Sequence, residues 1–159
     1  MTQVTLESLL NPSSVAILGA TDDIRRVGAR VMRYMLEGSF KGPVYPINIK
    51  RKVVQGAKAY SSILDIPGSV ELVILAIPAS QITQALHDSA KMGAKAAVVF
   101  SSGFAEMGED GKVMQAELHA TAVELEIRLL GPNCLGCVSV QNGVMATFSS
   151  NFMNAAPKW

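Results

Sequence analysis

The stretch Ser14-Val-Ala-Ile-Leu-Gly-Ala-Thr-Asp-Asp-Ile-Arg-Arg-Val-Gly-Ala-Arg30 decides the fold. An apolar run at 15–18 breaks at Gly19, passes through mostly polar positions, and resumes at Gly28 with apolar residues at helical spacing. The pattern is strand, loop, helix. In an open α/β sheet the first such turn is where a phosphate-bearing ligand sits, because loop amides and the helix N-terminus are unpaired donors pointing one way. The stretch therefore points to a nucleotide-like ligand. The dinucleotide fingerprint needs a second glycine two residues after the first, and Thr21 stands there instead.

Working outward, the 159 residues suffice for one domain with a substantial core. Hydrophobic residues at 49% and charged residues at 17% exclude a disordered chain. Fourteen basic against thirteen acidic side chains give no general drive toward nucleic acid or anionic lipid, so any anion site is local. The longest apolar block, residues 72–79, is less than half of the ~20 residues a membrane span requires. The N-terminus lacks the basic and apolar regions of a secretion signal, which makes the cytoplasm the expected location.

Residues 1–13 read as a lead-in, with Leu6, Leu9 and Leu10 on one helical face and Asn11-Pro12 as a stop. After the first strand, Val27, Val31, Met35 and Leu36 describe an amphipathic helix closed by Gly38. Residues 44–49 form a second strand whose Pro46 places it at the outside of the sheet or at a bulge. A Gly56 turn and a weak helical piece around Ile63 and Ile66 follow. Residues 72–77 are uniformly apolar, as a strand buried on both faces must be, and belong at the sheet centre. Ser80 is placed to cap a helix carrying Ile82, Ala85, Leu86 and Ala90 inward. Residues 96–100 are the next buried strand. A helix over 112–126 points Val113, Ala116, Ala120 and Val123 inward, and residues 127–130 make a short strand. Residues 138–140 and 144–148 flank Gln141-Asn142-Gly143 as a hairpin. The fold class is α/β, a Rossmann-like doubly wound and mostly parallel sheet in a single domain over 14–149.

Right-handed crossovers put every strand C-terminus on one edge of such a sheet. The loops there are 19–28, 48–53, 77–80, 101–108 and 131–137, rich in glycine and in polar residues such as Thr21, Asn48, Ser101, Ser102 and Asn133. An NAD site would place an acid at the end of the second strand, about 20 residues beyond the glycine loop. Here Asn48-Ile-Lys50-Arg51-Lys52 follows, so a ligand with an extra ribose phosphate, NADP or coenzyme A, is favoured. Arg25 and Arg26 are placed to help, whereas Asp22 and Asp23 oppose a phosphate unless they face water.

No catalytic set is visible. Ser101 and Ser102 do not sit in a nucleophile elbow, and neither His87 nor His119 lies on the loop edge. Glu106 is the single carboxylate of the 101–108 loop before Glu109, and a lone carboxylate makes no acid/base pair. Cys134 and Cys137 are spaced as a redox pair or half a zinc site would be, but two small buried residues near a turn is the preferred reading, with no metal site expected.

Four motifs together, Ser14-Val-Ala-Ile-Leu-Gly-Ala-Thr, Ile77-Pro78-Ala79, Ser101-Ser-Gly-Phe-Ala-Glu106 and Leu130-Gly-Pro-Asn-Cys-Leu-Gly136, resemble the N-terminal CoA-binding domain of the NDP-forming acyl-CoA synthetases, a relative of the succinyl-CoA synthetase α subunit. The resemblance runs from about Leu9 to Phe148. It implies CoA or acyl-CoA as ligand and further domains or a partner subunit as partners, with neither nucleic acid nor membrane. Carried over, Gly19, Ala20, Thr21 and the following loop with Arg25, Arg26 and Val27 would meet the CoA phosphates. Asn48 and Lys50 match the family's Asn-Pro-Lys, where the lysine pairs with a phosphate. Ile77 and Pro78 would pack on adenine or pantetheine, while Ser101, Ser102, Gly103 and Glu106 line the thiol end and Asn133 and Cys134 shape the acyl site. Two departures stand out: Ile24-Arg25 replace the family's Pro-Gly, and Ile49 replaces the proline before Lys50. The family's phosphorylated histidine belongs to a following domain, so residues 150–159 read as a tail or the start of a linker and the fragment as CoA-binding without turnover. The alternatives are an NADP-dependent oxidoreductase or nucleotide sensor on the same sheet, and a non-catalytic stand-alone CoA-binding protein.

Overall fold

The computed structural model describes residues 6–153, so the outer parts of the expected lead-in and tail lie outside the described residues. A short helix α1 (Glu7–Leu10) leads into β1 (Val15–Leu18), α2 (Val27–Glu37) and β2 (Val44–Ile47). A small hairpin of β3 (Val53–Val54) and β4 (Ala57–Lys58) precedes β5 (Leu72–Leu75), α3 (Ile82–Lys91), β6 (Ala96–Val99), α4 (Glu109–Glu124) and β7 (Arg128–Leu130). A second hairpin, β8 (Gly136–Ser139) and β9 (Val144–Thr147), follows, and a 3-10 turn, Ser150–Phe152, ends the described residues. The main sheet runs β2-β1-β5-β6-β7 with every neighbouring pair parallel. This is the expected Rossmann-like α/β domain.

All residues of β1, β5 and β6 are buried, which is why their sequences are unbroken hydrocarbon. Val15, Ile17, Leu72, Ile74, Ala96 and Val98 face one layer, with Val31, Met32 and Met35 of α2 and Val144 to Ala146 of β9. Ala16, Leu18, Val73, Leu75, Ala97 and Val99 face the other, with Ile82 and Leu86 of α3 and Leu118 and Ala122 of α4. The period-two alternation thus builds two cores from one sheet. Pro46 lies on the edge strand β2, as its missing donor requires, and its carbonyl accepts from the Tyr60 N–H at 3.0 Å.

Four expectations are corrected. The inward face of α4 is Gly111, Leu118 and Ala122, whereas Val113 and Val123 are 58% and 64% exposed and Ala116 and Ala120 also face water. This helix carries two apolar stripes at helical spacing, so periodicity does not choose between them. Gly111 does, because a Cβ there would lie 1.9 Å from the Phe104 carbonyl oxygen and that face must meet the preceding loop. Ser80 is not a cap: the chain enters α3 through a 3-10 turn, Ala79–Gln81, and the N-cap position is Gln81 with no side-chain cap. The second strand stops at Ile47, and Ile49 is 80% exposed. Leu6 and Leu36, expected on inward helical faces, are exposed: Leu6 precedes α1, and Leu36 points about 100° around α2 from buried Met35. The Asn142-Gly143 hairpin forms, but it packs against α2 as a separate two-stranded sheet.

Candidate functional site

The chain turns from β1 to β2 on one side and to β5 on the other, so the crevice beyond β1 and β5 is the topological switch point. Backbone meets backbone there. Gly19 has φ +87°, and a Cβ on it would lie 2.2 Å from the Ala76 carbonyl oxygen. A Cβ on Gly28 would lie 2.0 Å from the carbonyl oxygen of Gly19. Both glycines are therefore required for the ends of β1 and β5 and the first turn of α2 to touch. That turn begins after Arg26 without a side-chain cap, leaving its first amides as donors toward the crevice.

The crevice opens into a cleft of about 1050 Å³. Gly19, Ala20, Thr21, Arg25, Arg26, Val27, Asn48, Lys50, Ile77 and Pro78 all line it, so the structure brings together ten of the residues expected from sequence. The far wall comes from Ser61, Ser62, Gln81, Gln84 and Asp88, which the sequence reading missed. Gln81, Gln84 and Asp88 follow helical spacing on the polar side of α3, a signal that was there to be read.

The acids of the first loop do not face the cleft as free charges. Asp23 accepts from the Arg25 side chain at 2.9 Å by both carboxylate oxygens and from the Arg25 N–H at 3.2 Å. The Arg25 side-chain hydrogen bonds, then its backbone N–H, lower the Asp23 carboxyl to about 2, and Arg25 is raised in turn. Asp22 accepts from Arg51 Nη1 at 2.9 Å and from the Gln55 N–H at 2.7 Å. Asn48 uses its amide within the fold: Nδ2 donates to the Ala20 carbonyl at 2.9 Å, and Oδ1 accepts from the N–H groups of Lys50 and Arg51, both at 2.9 Å. It clamps the end of β2 to the glycine loop. The Lys50 ammonium has neither a hydrogen bond nor an ion pair among the described residues.

Ser101, Ser102, Gly103, Glu106, Asn133 and Cys134 do not line this cleft but occupy the loops beyond β6 and β7 on the same edge. The loops are stitched in series, with the Ser101 hydroxyl donating to the Ile77 carbonyl and the Asn133 N–H donating to the Ser101 carbonyl at 3.0 Å. Glu106 accepts from the Gly103 N–H, which, with its own and the Phe104 N–H, holds its carboxyl below the usual range. The Cys134 thiol is shared between the carbonyls of Val99 at 3.4 Å and Leu130 at 3.7 Å. Burial pushes the Cys134 thiol up and the Cys137 thiol to about 11, which disfavours the thiolate at both. Neither His87 nor His119 lines the cleft.

A family model described as a CoA binding domain matches residues 13–139. The chain belongs to that CoA-binding domain family. It is 37% identical over 153 residues to a trans-feruloyl-CoA synthase of an unknown prokaryotic organism, covering 96% of this chain and 22% of that protein. It is also 37% identical over 143 residues to the α subunit of ADP-forming acetate–CoA ligase II of Pyrococcus furiosus, covering 90% and 31%. The dinucleotide-forming acetyl-coenzyme A synthetase 1 of Ca. Korarchaeum cryptofilum, solved with phosphate and ADP, superposes with a TM-score of 0.86 at 36% identity over 92% of this chain and 31% of that one. This CoA-binding domain thus matches part of the ADP-forming acyl-CoA ligases and spans 22% and 31% of the length of these two curated relatives. Among the described residues no helix is long and apolar enough to cross a membrane.

Proposed function

We propose that the switch-point cleft holds CoA, with the diphosphate on residues 19–28 and the start of α2, and a further phosphate at Lys50. In this reading the chain is the CoA-binding part of an NDP-forming acyl-CoA ligase, which interconverts a carboxylic acid, CoA and a nucleoside triphosphate with acyl-CoA, nucleoside diphosphate and phosphate. Ile77 and Pro78 supply the apolar rim for adenine or pantetheine. Ser101, Ser102, Gly103, Glu106, Asn133 and Cys134 lie further along the same edge, where the thiol and acyl group would run. Phosphoryl transfer is assigned to other parts of the ligase, joined to this domain or in a partner subunit. Two free cysteines fit a reducing compartment such as the cytoplasm.

The observation that carries this reading is the charge balance of the cleft. Arg25 and Arg51 are matched by Asp23 and Asp22, with Arg26 3.7 Å from the same Asp23, whereas Lys50 stands exposed without an acid among the described residues, in the same cleft as an uncapped helix start. The end of β2 offers a cation where a ribose diol would need a carboxylate acceptor. Calorimetric titration with CoA, dephospho-CoA, NADP and NAD tests it. Saturable binding of CoA with none of NAD is expected, and binding of NADP without CoA overturns the assignment in favour of an oxidoreductase or nucleotide sensor.

A further inference from the structure

Gln55 forms the tip of the β3–β4 hairpin with Gly56, at φ +48°. Non-glycine residues seldom adopt this left-handed conformation, and asparagine or glycine suits such a turn better. The polar groups of Gln55 converge on the anion loop. Its backbone N–H donates to Asp22 Oδ1 at 2.7 Å, and its side-chain Nε2 donates to the Thr21 carbonyl at 3.0 Å and the Ala29 carbonyl at 2.9 Å. Arg51, just before the hairpin, holds the other oxygen of Asp22. Thr21 lines the cleft two residues after Gly19, and Ala29, in the first turn of α2, directly follows Gly28, the last residue of that segment to line it. The hairpin also has contacts of its own: Val54 and Ala59 are buried, and the Ala59 N–H donates to the Lys52 carbonyl at 2.9 Å.

We infer that Gln55 is a positioning residue of the anion site. Its carboxamide bridges the two ends of residues 21–29 and fixes the orientation in which the loop and α2 amides meet a phosphate. The longer side chain fits this role: asparagine, which the turn favours, is one methylene shorter. This inference rests on the cleft being the CoA site.

Gln55→Asn and Gln55→Gly relieve the turn while withdrawing the bridge. Both are expected to melt at or above the wild-type midpoint, to bind CoA about tenfold more weakly, and to exchange the backbone amides of residues 21–28 faster with deuterium. Asp22→Asn, which keeps an acceptor for the Gln55 N–H, is expected to lose less. Wild-type affinity and unchanged loop protection in Gln55→Asn overturn the inference, as does an affinity loss that comes only with a lowered melting midpoint. Failure of the wild-type protein to bind CoA overturns the proposed function instead, and the amide-exchange comparison then decides the role of Gln55 by itself.

Discussion

At the mouth of the cleft Arg51 is held by Asp22 and Arg25 by Asp23, so the cations of this region are not equivalent. Lys50 is left to meet a ligand, and a charge-assisted contact to a phosphate is worth about 1.5–3 kcal/mol when formed. Lys50→Ala should therefore weaken CoA about tenfold and dephospho-CoA far less, as read by paired titrations; equal losses for the two ligands would show that Lys50 does not read the ribose phosphate. The run of three basic residues at 50–52 was legible as charge, but that Asp22 would neutralise Arg51 and leave Lys50 was not. Asn48 shows the same limit. Its position on the loop edge was right, yet its amide is committed to the Ala20 carbonyl and to two backbone N–H groups, which only the folded path of residues 48–51 reveals.

Among the elements, α4 separates what periodicity tells from what it does not. Its existence followed from spacing, but two stripes compete for the core and the close approach of Gly111 to Phe104 selects one. Leu118 is 1% exposed, and Leu118→Ala should cost about 2–5 kcal/mol in urea unfolding. The pair Val113→Ser and Val123→Ser should each change stability by less than about 0.5 kcal/mol, since both side chains already face water. The opposite order would place the wrong face in the core. The β3–β4 hairpin belongs to the same scale. Its Gly56 turn was visible in sequence, but its use as a brace on the anion loop depends on contacts between residues 26 to 34 positions apart.

Across the whole molecule, Glu71 joins the lead-in to the central sheet. It accepts from the Ser8 hydroxyl at 2.7 Å and from the Ser13 N–H and hydroxyl, both at 2.8 Å. Partial burial pushes its carboxyl up, but these hydrogen bonds outweigh that and hold it below its ordinary 4.5. A depressed folded value means that the contribution is complete above the unfolded value and is lost as pH falls through the folded one. Glu71→Gln should cost about 1 kcal/mol at pH 7, at the low end because the carboxylate keeps contact with solvent. The difference from wild type should shrink as pH falls below the ordinary carboxylate range, which unfolding curves at pH 7 and in progressively stronger acid would check; a constant difference would refute the linkage. Sequence by itself determined the strand–helix alternation, the burial of residues 72–75 and 96–99, the central place of the former and the sheet edge where the loops gather, and it narrowed Pro46 to an edge or a bulge, because each follows from local hydrophobic period and backbone chemistry. The tertiary structure decided which stripe of α4 is inward, which cations are neutralised and how Gln55 braces the loop. Those outcomes depend on which distant backbone and side-chain atoms come within hydrogen-bonding or van der Waals distance, and no local pattern encodes that.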